Sequence, residues 1–252
     1  MRAKFWNRLG FERELWQQGL VHVAGVDEAG CGPLAGPVVA AAVVFPSQWL
    51  QEGLHGRLRG LNDSKQLTEE QRENFFGIIT AHPQIRFGVA TVEVEMIDQI
   101  NILQAAHRAM SLALEQLQPP PQHVLVDGRR VKSLLFPHTA LIKGDARCYS
   151  IAAASVLAKV TRDRLMIEYD RLYPGYGFAE HKGYATPQHY AAIGHRGPCP
   201  LHRRSFSPFH PAELELFEAG APESEAAART QCAPCQPAPP MIERNNSSGP
   251  PP

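Results

Sequence analysis

The sequence predicts an α/β fold in which helices cover a central mixed sheet, and three observations carry that prediction. Two almost continuously apolar runs, residues 22–27 and 37–45, read as strands buried on both faces. An alternating stretch at 86–94 feeds a segment with apolar residues every three or four positions. A short apolar run at 123–126 then precedes a long helical stretch. Strands followed by strand–helix alternation is the order of a layered α/β domain.

Taken in order, Phe5, Leu9, Trp16 and Leu20 stand near helical spacing, so a short helix broken by Gly10 is expected over 5–19. The first two strands flank the glycine- and proline-rich stretch from Ala29 to Gly36, which reads as a turn. After the third strand, Ile97, Ile100, Leu103, Ala106, Met110, Leu114 and Leu117 predict one amphipathic helix over 94–117, stopped by Pro119, Pro120 and Pro121. A buried strand at 123–126, a further candidate at 140–143 and a helix over 150–172 follow. From Gly220 onward Ala, Pro, Glu, Ser and Asn dominate, a composition that cannot offset the entropy of folding. The expected division is an N-terminal helical extension over 1–20, a main domain over 21–219 and a disordered tail over 220–252.

The 252 residues are 44% hydrophobic, enough for one sizeable core. Lys and Arg number 25, as do Asp and Glu, so no global field draws the chain to nucleic acid and any basic surface is local. Five scattered cysteines (Cys31, Cys148, Cys199, Cys232, Cys235) argue against a disulfide framework and for a reducing compartment. The N-terminus lacks the apolar run of a signal peptide, and no stretch has the roughly 18 or more apolar residues of a membrane span. A soluble, cytoplasmic protein is expected.

The candidate chemistry lies in carboxylates. Asp27 and Glu28 end an apolar strand beside the glycine turn, Asp127 ends the strand at 123–126, and Asp163 shares a helix face with Val156 and Val160. Each has an ordinary alternative: solvated turn acids for the first three, and a Lys159–Asp163 pair at i,i+4 for the last. If the fold gathers Asp27, Glu28, Asp127 and Asp163, their mutual repulsion demands cations. Hard oxygen ligands without His or Cys select Mg²⁺ or Mn²⁺ over Zn²⁺. Two such ions align a water and stabilise the leaving oxygen of a phosphodiester, the chemistry of a nuclease.

The stretch Gly25-Val26-Asp27-Glu28-Ala29-Gly30-Cys31-Gly32-Pro33-Leu34-Ala35-Gly36-Pro37-Val38 resembles the bacterial-type ribonuclease HII family. The resemblance runs on through Asn62-Asp63-Ser64-Lys65, Val126-Asp127-Gly128, Lys143-Gly144-Asp145, residues 150–163, His181-Lys182-Gly183-Tyr184 and His202-Arg203-Arg204-Ser205-Phe206. It implies a ribonuclease H-like fold, a mixed central sheet flanked by helices with a small C-terminal helical part. It also implies hydrolysis of RNA in RNA–DNA hybrids and incision at single ribonucleotides in duplex DNA, leaving 3′-hydroxyl and 5′-phosphate ends, by a monomer. The family's metal-binding acids carry over to Asp27, Glu28, Asp127 and Asp163. The turn Gly30-Cys31-Gly32 is implied to meet the 2′-hydroxyl through backbone groups, with Tyr184 stacking on the next sugar. Cys31 stands where the family has arginine or lysine, so a cationic phosphate contact is missing there. Ser64, Lys65 and Lys143 are further substrate-contact candidates, with Lys182, Arg203 and Arg204 as local basic surface.

Cys232 and Cys235 lack a second ligand pair and are not read as a metal site. Asp145 is a possible outer acid and is left outside the catalytic set. Two competing functions are a hybrid-binding module without turnover, and a ribonuclease H-like DNA nuclease or strand-transfer enzyme. A pure binder has no use for a phosphate-repelling acid cluster, and strand selectivity separates the second.

Overall fold

The computed structural model of the chain describes residues 8–209. The tail expected from 220 onward, with Cys232 and Cys235, lies outside the described residues, as does Phe5. No helix among the described residues is long and apolar enough to cross a membrane.

Five strands, β1 (Val23–Ala29), β2 (Val38–Val44), β3 (Arg86–Val92), β4 (His123–Asp127) and β5 (His138–Leu141), form one mixed sheet in the order β3-β2-β1-β4-β5. β1 pairs antiparallel with β2 and parallel with β4; β3 adds antiparallel to β2 and β5 parallel to β4. The helices are α1 (Gly10–Gln17), α2 (Trp49–Glu52), α3 (Glu69–Ala81), α4 (Val94–Ile100), α5 (Ile102–Glu115), α6 (Gly144–Arg147), α7 (Tyr149–Leu172), α8 (Phe178–His181) and α9 (Pro187–Arg196).

The two-residue period of the strands divides the core into two layers. Val39, Ala41, Val43 and Leu125 pack with Ile151, Ala154 and Leu157 of α7. Val38, Ala40, Ala42, Val124 and Val126 pack instead with Ala106, Ala109, Met110 and Ala113 of α5. β1 and β2 are therefore buried on both faces, as their continuous apolar runs predict. α7 reaches the sheet closely because Ala152, Ala153 and Ala154 leave it slim and Gly25 offers no side chain: a Cβ there would stand 2.3 Å from the Ser150 carbonyl carbon.

Several boundaries differ from expectation. The helix predicted over 94–117 is two helices broken at Asn101, which adopts φ +66° and accepts the Gln104 amide on its side chain, starting α5 afresh. The last strand is β5 rather than 140–143, and β1 continues past Asp27 and Glu28. α1 begins at Gly10 instead of being broken by it. α3 has no counterpart in the sequence reading, yet its start was legible: Thr68 and Gln71 form a reciprocal capping box.

Candidate active site

The strand register explains which acids meet. Val26 pairs with Val126, so Asp27 and Asp127 follow side by side on parallel neighbours, and parity turns both toward the α7 face of the sheet. Glu28, one residue on, faces the α5 side. Asp145, on the short α6 that leads into α7, completes a group with Asp27 and Asp127 in which one carboxylate oxygen from each lies within 4.8 Å of the others.

Each of these three carboxylates is oriented by one backbone amide. Glu28 N–H donates to Asp27 Oδ1 at 2.7 Å, Gly144 N–H to Asp127 Oδ1 at 2.6 Å, and Ala146 N–H to Asp145 Oδ1 at 2.7 Å. Gly144 is required here: a Cβ would meet Ile151 Cδ1 at 2.6 Å and Asp127 Oδ1 at 3.2 Å. Burial, then the charges of Glu28 and Asp127, push Asp27 well above the usual carboxylate range. Glu28 is raised by burial and Asp127, and Asp145 by burial, Asp127 and Asp63. Lys65 stands close: burial opposes its charge, but Asp63, Asp27 and Asp145 hold its pKa above the ordinary value. A set of hard oxygen donors that repel one another and are each pinned by an amide fits a divalent cation.

Asp163 is not in this group. α7 places Ser150 and Ile151 beside Gly25 and Arg162 beside Gly30, so Asp163, the next residue, lies near the level of the glycine turn. There Lys159 Nζ holds its Oδ1 at 2.7 Å, the i,i+4 pair that the sequence allowed. Asp145, set aside from the sequence, is the acid that the fold brings in; its position in the matched Lys143-Gly144-Asp145 segment was the available signal.

The turn Gly30-Cys31-Gly32 is built from behind. Arg203, fully buried, donates to the carbonyls of Gly30, Cys31, Pro33, Gly36 and Pro37 at 2.6–3.2 Å. Arg162, also buried, donates to Ala35, Pro37 and Lys182 carbonyls at 2.9–3.0 Å. Burial and then Arg162 push the Arg203 guanidinium down to about 9. With the carbonyls turned inward, Gly30 must take φ +101°, and a Cβ there would strike Arg162 Nε at 2.3 Å. Cys31 is half-buried; its thiol donates to Glu28 Oε1 at 3.6 Å, and burial followed by Glu28 pushes its pKa up to about 12.

Tyr184, 41% exposed, stands over the turn, its Cε1 4.0 Å from where a Gly32 Cβ would be. Lys159 Nζ lies 5.8 Å from the ring centroid. The loop carrying Tyr184 is held by Leu34 N–H donating to Gly183 O at 2.8 Å and by His189 Nδ1 bonded to Tyr184 O at 2.9 Å. Ser64 is buried with its amide donating to Ser155 Oγ, and Lys143 is exposed in a left-handed conformation ahead of α6.

A family model for ribonuclease HII matches residues 24–208. The chain belongs to the ribonuclease HII family. The ribonuclease HII of Anaeromyxobacter sp. (strain Fw109-5) is 46% identical over 95% of this chain and 78% of that protein. That of Ruminiclostridium cellulolyticum is 52% identical over 79% of this chain and 74% of its own length. Among solved structures, the ribonuclease H2 from Pyrococcus horikoshii OT3 superposes with a TM-score of 0.62 at 31% identity, covering 78% of this chain and 98% of that one. The chain is thus a metal-dependent ribonuclease with a ribonuclease H-like fold, acting on RNA–DNA hybrids. What ribonuclease HII membership leaves to this chain's own residues is how the acids and the turn divide the work.

Arg203, expected on the local basic surface with Lys182 and Arg204, is instead fully buried beside Arg162. The identity of both arginines was visible in the matched segments, but a buried arginine whose partners are carbonyls leaves no carboxylate pattern to find.

Proposed function

We propose that the enzyme incises the ribonucleotide strand both in long RNA–DNA hybrids and at single ribonucleotides in duplex DNA, leaving 3′-hydroxyl and 5′-phosphate ends. The observation that carries this reading is the juxtaposition of the Asp27, Asp127 and Asp145 group with a backbone turn whose carbonyls are occupied from behind. Asp27, Asp127 and Asp145 would hold Mg²⁺ or Mn²⁺, with Glu28 as the further acid whose charge acts on Asp27 and Asp127. Bound there, two such ions activate water and stabilise the leaving 3′-oxygen.

The chain's residues do the rest. The amides of Glu28, Gly144 and Ala146 fix one oxygen of each acid and leave the other to the cation. Gly30, Cys31 and Gly32 present backbone groups to the 2′-hydroxyl, the one atom that separates RNA from DNA at a single position. Tyr184 packs on the adjoining sugar, while Lys65, Lys143 and Ser64 line the approach of the phosphates. Cys31, bonded to Glu28, leaves recognition to its main chain. Asp163 enters the metal shell only if Lys159 releases it, so loss of Mn²⁺ binding in Asp145→Asn but not in Asp163→Asn supports the assignment made here. The enzyme works as a cytoplasmic monomer, with residues 21–219 as the catalytic domain.

The test is cleavage of labelled duplexes containing one ribonucleotide, a full hybrid strand or DNA alone, with Mg²⁺, Mn²⁺ or EDTA. Metal-dependent cutting of the first two only is expected. Binding without cutting in either metal would instead support the hybrid-binding module.

A further inference from the structure

The segment ahead of the sheet is tied to the stretch that carries Asp145. Tyr149 N–H donates to Arg8 O at 3.0 Å, and Arg8 Nη2 donates back to Asp145 O at 2.5 Å. Arg8 Nη1 donates to Leu61 O, and the guanidinium lies 4.8 Å over the Tyr149 ring. From α1, Glu12 Oε1 accepts Ser150 N–H at 2.9 Å and the Cys148 thiol at 3.1 Å. Arg147 in turn lies 5.4 Å over Phe11.

Glu12 is fully buried, and burial raises its pKa. A carboxylate is costly there unless something needs it. What needs it is the start of α7: Cys148, at the N-cap, makes no side-chain cap, and the first-turn amides of a helix have no partner within it. Glu12 supplies the missing acceptor from another element, at the end of the helix where a negative charge is favoured.

The same stretch carries one of the three grouped acids, Asp145, and the amide that orients a second, Asp127. Gly144 N–H orients Asp127 and Ala146 N–H orients Asp145, so a shift of this backbone moves the donors of both carboxylates together. We infer that Arg8 and Glu12 are positioning residues of the active site, clamping residues 144–150 so that Asp127 and Asp145 converge on the cation. This rests on the metal-holding role proposed above for Asp145.

The experiment uses the full chain and four variants, Arg8→Ala, Glu12→Ala, Glu12→Gln and Asp145→Asn. Mn²⁺ binding to the substrate-free protein is measured by calorimetry, beside kcat and KM on a hybrid duplex and melting without metal. Arg8→Ala is expected to weaken Mn²⁺ binding and lower kcat by roughly 10-fold, the lower end for contacts that orient metal ligands, with KM for the duplex unchanged. Glu12→Gln, which keeps an acceptor oxygen, recovers most of what Glu12→Ala loses. If Glu12→Ala does not fold, Arg8, half-buried and outside α1, still decides the matter. Unchanged Mn²⁺ affinity and kcat in folded Arg8→Ala, while Asp145→Asn loses the metal, overturns the inference alone. Unchanged affinity in Asp145→Asn removes the assignment of Asp145 and the inference with it.

Discussion

Two regions of this enzyme handle buried charge in opposite ways. At the ends of β1 and β4, Asp27, Asp127 and Asp145 gather like charges, and burial and mutual repulsion raise Asp27 and Asp145 above their ordinary values. Behind the glycine turn, Arg162 and Arg203 are buried cations whose hydrogen bonds all go to backbone carbonyls. The first region is incomplete without a cation and so holds reactive potential. The second is satisfied before any substrate arrives and so holds a shape. The difference separates chemistry from reading: one site binds by relieving repulsion, the other by being rigid already.

The sharpest way to break this contrast is Asp127→Asn. Turnover should be abolished, while the metal-free protein keeps its fold and gains stability because one source of repulsion on Asp27 is gone. Retained activity in the cleavage assay would remove Asp127 from the site.

Arg203→Ala tests the other region. It strands several buried carbonyls, each costing about 1–3 kcal/mol, so a loss of about 3 kcal/mol or more is expected in denaturant unfolding. Arg203→Lys keeps the charge but not the fork, and should lose single-ribonucleotide incision more than hybrid cleavage. Equal loss on both substrates would show that the clamp serves stability alone.

Tyr184→Ala should lower incision at single ribonucleotides with little change in melting, since the ring is already 41% exposed. A large fall in melting temperature would make the ring structural.

Titration pulls the two regions apart. Behind the tyrosine loop, His189 Nε2 and His202 Nε2 are 3.1 Å apart, and burial first, then His189, push His202 down to about 3 from 6.5. Between those values the unfolded chain takes a proton that the folded one refuses. Stability present above pH 6.5 is therefore lost as pH falls toward 3, by at most about 1.4 kcal/mol per unit. Asp27 has the opposite sign: its raised pKa contributes at low pH and is lost as pH rises above the ordinary 3.8. In metal-free melting between pH 7 and 4.5, His202→Gln should lose the acid-destabilising contribution of the histidine, so its melting temperature changes more favourably on acidification than that of the native protein. An unchanged slope would exonerate the histidine.

The smallest effect is expected from deleting residues 220–252, which should leave kcat and KM on the hybrid nearly unchanged. A large loss would extend the working enzyme beyond the proposed catalytic domain.

What the sequence determined by itself is local. Continuous apolar runs at β1 and β2 announced strands buried on both faces, and an acid at each of two strand ends announced where chemistry would sit. The family motif named the activity. What only the tertiary structure decided is long-range. Parity and register put Asp27 and Asp127 on one face and Glu28 on the other. α7 pairs Asp163 with Lys159, and the short α6 ahead of it brings Asp145 beside Asp27 and Asp127. Arg203 reaches carbonyls 166 to 173 residues away in sequence. A side-chain period reports which face a residue occupies within its own element. Which residues meet across elements depends on how the layers pack, and no local pattern encodes that distance.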